Sequence, residues 1–177
     1  AMLYIRGHAW DYDHWRQLGN DGWSFREVLP YFKKSQHQER GASDLHGVGG
    51  PLNVADQVSV ATVSQTFLEA AKQAGYPINS DFNGSEQEGV GTYQVTQKNA
   101  ARWSTASAYL RPSMERGNVT VLTGAQVARV KLDSGRAVGV DYKHNGKSLS
   151  VRSEREVILA GGAVNSPQLA HWKGWPS

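Results

Sequence analysis

The sequence contains no cysteine. That excludes a disulfide framework, a thiolate-ligated zinc or iron–sulfur site, and a cysteine nucleophile. It also lacks any long apolar run, and its mean hydropathy is −0.53. It therefore offers no candidate membrane span. Neither sign of charge dominates: 19 Lys and Arg stand against 16 Asp and Glu, a net charge of +3. This excludes a strongly basic nucleic-acid arm and an acidic tail. There is no Gly-x-Ser-x-Gly elbow, so a hydrolase of that class would have no nucleophile. There is no Gly-x-Gly-x-x-Gly either; Gly47-Val48-Gly49-Gly50 comes near, but no strand precedes it and Pro51 follows. The start, Ala1-Met2-Leu3-Tyr4-Ile5-Arg6-Gly7, has no charged segment leading into an apolar one, so it does not read as a secretory signal. It reads as the middle of something already folded, and both ends predict a cut piece. What is present, 39% hydrophobic and 20% charged residues in 177, fits an ordinary globular domain.

Residues 1–22 are rich in aromatics and charge without a period, which predicts irregular structure with short helical turns. Ser24-Phe25-Arg26-Glu27 is a capping box. The helix it opens is expected to turn Val28, Leu29, Tyr31 and Phe32 inward, with Pro30 interrupting its bonding. Residues 41–57 are turn-rich. Val63, Phe67, Ala70, Ala71 and Ala74 share one helical face, and Gly75 followed by Pro77 marks the stop. Asp81 to Gly84 reads as a turn, Gly91 to Gln97 as a strand, and Ser104 as the cap of a short helix ending near Pro112. The last third is β-rich: Val119–Thr123, Val127–Leu132, Ala137–Tyr142, Leu149–Arg152 and Val157–Ala160. Ser134-Gly135 and Asn145-Gly146 predict hairpin turns between the middle three. The two outer runs are more apolar and suit buried sheet positions. Ser166 and Pro167 read as the cap and first residue of a final helix.

Among candidate sites, Asp11, Asp13 and His14 form the tightest titratable cluster, but their spacing fits no metal motif, and no metal is expected. They read as a solvated or salt-bridged loop. Asn83-Gly84-Ser85 and Asn118-Val119-Thr120 match the glycosylation sequon, yet with no signal segment both read as turns. Trp10, Trp15 and Trp23 read as buried packing rather than as a sugar-stacking surface. Gly161-Gly162-Ala163 follows an apolar run and precedes a capped helix. Two readings stay open there: close approach of a ligand, with the helix N-terminus favouring an anionic group, or tight strand–helix packing.

The order of motifs carries more than any one of them. Ala1-Met2-x-Tyr4-x-Arg6-Gly7, Asp11-Tyr12-Asp13-x-Trp15, Gly22-Trp23-Ser24, Leu29-Pro30-Tyr31-Phe32-Lys33-Lys34 and His46-Gly47-x-x-Gly50-Pro51 come first. Ala74-Gly75-Tyr76, Asp81-Phe82-Asn83-Gly84, Gln87-Glu88-Gly89 and Arg102-x-Ser104-x-x-x-Ala108-Tyr109-Leu110 follow. Leu122-Thr123, Val127-x-Arg129-Val130, Ala137-Val138-Gly139-Val140 and Arg155-Glu156-Val157-Ile158-Leu159-Ala160-Gly161-Gly162-Ala163-x-x-Ser166-Pro167 complete the series. This order resembles the glucose–methanol–choline family of FAD-dependent oxidoreductases, up to about Leu169.

The resemblance implies a mixed α/β fold: part of a Rossmann-like FAD domain carrying a β-meander, and part of a substrate domain with an antiparallel sheet and helices. Residues 1–50 would be flavin-proximal, 51–117 substrate domain, and 118–177 a return to the FAD domain. It implies FAD as cofactor, with Ala1 and Met2 beside the isoalloxazine ring and the Val127 backbone at the adenine. Ala160, Gly161, Gly162 and Ala163 would form the turn passing the cofactor. It implies oxidation of a small alcohol, choline-like or another primary alcohol, with oxygen or a respiratory chain as electron acceptor. No nucleic acid partner is expected. The location implied is cytoplasmic, with peripheral membrane association left open. The family's Gly-x-Gly-x-x-Gly unit and its catalytic His with a His or Asn partner have no counterpart in these 177 residues. No catalytic residue is therefore assigned, His171 included, and the chain is expected to be inactive alone; a non-catalytic binding or structural module is the alternative. Residues 170–177 depart from the family pattern.

Overall fold

A computed structural model describes residues 2–171. The atypical tail beyond His171, and Ala1, lie outside the described residues. The chain divides into two compact units, Ala1–Val119 and Thr120–Ser177, with a mixed α/β make-up of helices and small sheets.

In the first unit, helix α1 (Ala9–Gln17) occupies a stretch expected to be irregular. Its start is a capping box built on His8: the His8 ring accepts from the Trp10 amide at 3.1 Å, and the Asp11 carboxylate accepts from the His8 amide at 2.8 Å. A histidine cap is weak as a sequence signal, which is why the helix was not legible. Helix α2 (Phe25–Ser35) starts at the expected box: Ser24 donates its amide and hydroxyl to Glu27 at 3.1 and 2.6 Å. The helix runs through Pro30. Val28, Leu29 and Phe32 are half-buried as expected, but Tyr31 is 70% exposed.

Strand β1 (Gln36–Gln38) follows directly and pairs in parallel with β2 (Leu52–Val54). Helix α3 (Thr62–Gln73) ends as predicted, with Gly75 at φ +87. Its apolar face does not turn inward: Val63 is 75% and Phe67 66% exposed, and only Ala71 is buried. Gly91 to Gln97 is not a continuous strand. Val95 makes single bridges to Leu3 and Ala55, and only Gln97–Lys98 (β3) pairs as a ladder, with Ala101–Arg102 (β4). Ser104 does start helical structure, a π-helical turn at Ala106–Leu110 that runs into α4 (Arg111–Met114), past Pro112.

In the second unit, β5 (Gln126–Asp133), β6 (Arg136–His144) and β7 (Lys147–Arg152) form the expected antiparallel meander. Both hairpin turns have left-handed pairs, Ser134-Gly135 at φ 49 and 80 and Asn145-Gly146 at φ 50 and 74, as tight hairpins require. Val119–Thr123 and Val157–Ala160 are not strands. An apolar-rich run becomes a strand only when at least one neighbouring segment pairs with its backbone. No strand among the described residues pairs with either segment. Helix α5 (Gly162–His171) begins four residues before Ser166, so Ser166 and Pro167 lie inside it.

Candidate functional site

The segment Met2–Arg6 crosses the first unit with a single antiparallel bridge from Leu3 to Val95, and backbone and side-chain groups of distant segments fix its backbone. Thr96 donates its amide to the Met2 carbonyl at 2.7 Å, and its hydroxyl at 3.3 Å. Tyr4 donates to the Gln94 carbonyl at 2.9 Å. The Asn83 side chain donates to the Tyr4 carbonyl and accepts from the Arg6 amide at 2.7 Å, while Gln87 donates to the Arg6 carbonyl at 3.0 Å. Met2 lines a cleft of about 310 Å³ with Gln57, Val58 and Val95.

Below this segment the core is polar. Arg6 is only 6% exposed, and among the described residues no carboxylate pairs with it. It donates to Gln36 Oε1 at 2.6 Å, to the Leu45 carbonyl at 2.7 Å and to the Tyr4 hydroxyl at 3.3 Å, and its guanidinium lies 5.1 Å from the Phe32 ring centre. Gln36 Nε2 lies 3.2 Å from His46 Nδ1, and His46 Nε2 lies 2.8 Å from Asp81 Oδ2. Gln38 Nε2 reaches the same Nδ1 at 3.4 Å and Gln94 Oε1 at 2.7 Å. Gln94 Nε2 in turn reaches Asp56 Oδ1 at 2.9 Å. Burial pushes the Asp56 carboxyl up, but hydrogen bonds from Arg40 and Gln94 outweigh it and hold the group below the usual carboxylate range.

These partners decide the orientations. Arg6 can only donate, so it fixes the oxygen end of Gln36, and the amide nitrogen faces His46. Asp81, as a carboxylate, can only accept, so His46 Nε2 turns a proton toward it, while Nδ1 lies nearest to Gln36 Nε2 at 3.2 Å, with Gln38 Nε2 and Gln36 Oε1 each at 3.4 Å. The sequence motifs contain Arg6 and His46 without pointing to a role for either, and Gln36, Gln38 and Gln94 stand in none of them. A signal existed: Gln-His-Gln is a strand with no apolar residue to bury.

In the second unit, Val127 lies on β5, 37% exposed and opposite Tyr142. The pairing then skips to Arg129 opposite Asp141, so Ala128 is a bulge residue with no partner in the register. Such a bulge frees backbone groups for another partner. Ala160 and Gly161 are exposed coil at the entry to α5. Gly161 donates its amide to Ser166 Oγ at 2.8 Å, so Ser166 caps from within the helix rather than before it. Gly162 takes φ +89, and a Cβ there would meet nothing within 4 Å. A Cβ on Gly161 would sit 3.1 Å from Asn165 Cβ. Gly161 is thus needed for local packing, while Gly162 and Ala163 leave an open surface at the N-terminus of a ten-residue helix. An open backbone, small residues and a positive helix end suit a cofactor carrying phosphates.

The Asp11, Asp13 and His14 cluster is helical rather than a loop, and its members face different partners. Asp11 caps α1, Asp13 accepts from the Phe25 amide at 2.9 Å, and His14 stacks on Trp10 with centroids 4.8 Å apart. Trp10, Trp15 and Trp23 are exposed rather than buried.

The fold, with its three-stranded antiparallel meander and two small two-stranded sheets, is shared with solved oxidoreductases, one of them FAD-dependent. Over 96% of the chain the fold matches pyridoxine 4-oxidase from Mesorbium loti, with a TM-score of 0.87 and 31% identity, covering 34% of that protein. It also matches an FAD-dependent oxidoreductase from Chaetomium thermophilum, with a TM-score of 0.86 and 26% identity over 96% of this chain and 32% of that one. Residues 1–174 match the GMC oxidoreductase family, and the chain belongs to that family, whose cofactor is FAD. It is 46% identical to the mitochondrial choline dehydrogenase of Homo sapiens and 42% identical to an oxygen-dependent choline dehydrogenase of Rhizobium johnstonii, in each case over 98% of the chain. It spans 29% and 32% of those relatives' lengths. Among the described residues no helix is long and apolar enough to cross a membrane.

Proposed function

We propose that this chain is a flavin-lining part of an alcohol oxidoreductase. The observation that carries the reading is the 46% identity to human choline dehydrogenase along 98% of the chain. In this reading residues 1–50 are flavin-proximal, 51–117 belong to the substrate-binding half, and 118–177 belong to the cofactor-binding half. Ala1 and Met2 lie beside the flavin ring, the Val127 backbone meets the adenine, and Ala160, Gly161, Gly162 and Ala163 pass the cofactor. FAD, when bound, supplies the hydride acceptor for oxidation of a choline-like or other primary alcohol to an aldehyde. Oxygen or a respiratory chain removes the electrons. The location that goes with this is cytoplasmic or peripheral to a membrane.

The chain's own residues bind and orient in this scheme. Thr96 and Gln94 hold Met2 and Tyr4 in place, and the first turn of α5 offers its amides to an anionic group. None of its residues is assigned as the base that takes the hydroxyl proton. With added FAD and choline or a simple primary alcohol, the purified chain is expected to form no aldehyde, and sustained turnover would overturn that part of the reading. Quenching of FAD fluorescence measures uptake directly. The Gly162→Val variant is expected to bind about tenfold more weakly, a difference of about 1.4 kcal/mol; equal binding by the two would remove the turn from the cofactor site.

A further inference from the structure

We propose that Arg6 is a positioning residue for the segment Met2–Ile5, acting through a one-way hydrogen-bond relay that couples it to Asp81, a residue with which it shares no hydrogen bond. Its bearing on catalysis rests on the flavin-proximal reading of Met2.

Among the described residues no carboxylate contacts Arg6, an arrangement that ordinarily costs heavily for a charge so deeply buried. Its counter-charge lies at the far end of a chain of donors. Arg6 Nη2 donates to Gln36 Oε1 at 2.6 Å. Gln36 Nε2, at 3.2 Å closer to His46 Nδ1 than its own Oε1 at 3.4 Å, donates to that nitrogen, and His46 Nε2 donates to Asp81 Oδ2 at 2.8 Å. Every donor points from the cation toward the anion, so the dipoles of the amide and the ring align with the field between the two charges and strengthen one another. The same Arg6 fixes the end of the Met2 segment: its amide is held by Asn83, and Asn83 is held at its own amide by Asp81 Oδ1 at 3.0 Å. Asp81 therefore anchors the segment twice, once through the relay and once through Asn83. The Thr96-to-Met2 clamp at 2.7 Å closes the other end.

Two measurements on the 177-residue chain test this, and neither needs flavin. The first is the nitrogen NMR pattern of His46 in the unsubstituted chain. It is expected to show a neutral ring with the proton on Nε2; a ring protonated on Nδ1, alone or in addition, overturns the relay. The second reads amide exchange at Thr96 and the methyl resonance of Met2 in Asp81→Asn, alone and combined with Gln36→Glu. Gln36→Glu keeps Arg6 paired but cannot donate to His46. Asp81→Asn keeps one oxygen to accept from the Asn83 amide, so that anchor is common to both backgrounds; alone the variant is expected to speed Thr96 exchange about tenfold, and about twofold or less once Gln36→Glu has cut the relay. Equal acceleration in both backgrounds, or none in the first, overturns the proposal, with the amides of β5 to β7 as the internal reference for folding. If the chain fails to take up FAD, the cofactor reading falls while these results stand.

Discussion

Gly47 has no room for a methyl group: a Cβ there would lie 1.9 Å from the Lys33 carbonyl oxygen at the end of α2. Gly47→Ala is therefore expected to destabilise the first unit by about 3 kcal/mol, read as a lowered melting temperature. Gly50 has the same constraint against the Ser35 and Gln36 backbone. In the sequence the two looked like an imperfect phosphate loop, but their role is close packing of the His46–Pro51 turn on α2 and β1. At Asp141 the controlling interaction is electrostatic. A hydrogen bond from Arg129 at 2.6 Å, helped by Ser150 and Lys131, holds its carboxyl below the usual range. In an unfolded chain this carboxyl titrates near pH 4. The stabilisation is thus fully present above that pH and lost as pH falls through the lower folded value. Melting of the meander followed from neutral pH to about pH 2 should show this acid loss, and Asp141→Asn should flatten it.

Elements with strong local signals were legible. The Ser24 box, the Gly75 stop of α3 and the two left-handed turns of the meander are each fixed by a few adjacent residues. Ser24→Ala is expected to cost about 1 kcal/mol, seen as a lower melting temperature. Elements that depend on distant partners were not legible. Val119–Thr123 and Val157–Ala160 have the composition of buried strands, but strand identity needs a neighbour's hydrogen bonds. The face of α3 shows the same limit: its helical period was read correctly, while which surface it meets cannot be read from period alone. Because Phe67 is largely exposed, Phe67→Ser in this chain should shift stability by less than about 0.5 kcal/mol by thermal melting. A larger loss would mean that α3 packs more tightly than its exposure indicates.

For the whole molecule, the turn at Gly161-Gly162-Ala163 stood out through its small residues, Met2 and Val127 only through the family pattern, and the polar core beneath Met2 was not legible. Among the described residues few apolar side chains are buried; Val54, Ala55, Ala71, Phe82, Val95 and Ala108 make up the buried hydrophobic set. Many large ones face outward, among them Trp10, Phe67 and Ile158. Exposed apolar surface on that scale marks surfaces that seek partners. The chain is expected to bind an apolar dye such as anilinonaphthalene sulfonate at neutral pH and to self-associate as salt rises, both measurable in dilute solution. The buried polar residues carry a different consequence, one of historical constraint. Each of Gln36, Gln38 and Gln94 can sit two ways round. Arg6 fixes the ends of Gln36, Asp56 those of Gln94 and through it Gln38, and Asp81 draws a proton to His46 Nε2. Replacing any one member by an apolar residue strands the buried groups on either side of it. Such a core is difficult to rewrite one substitution at a time, and a lineage that abandoned it would have to exchange several members together.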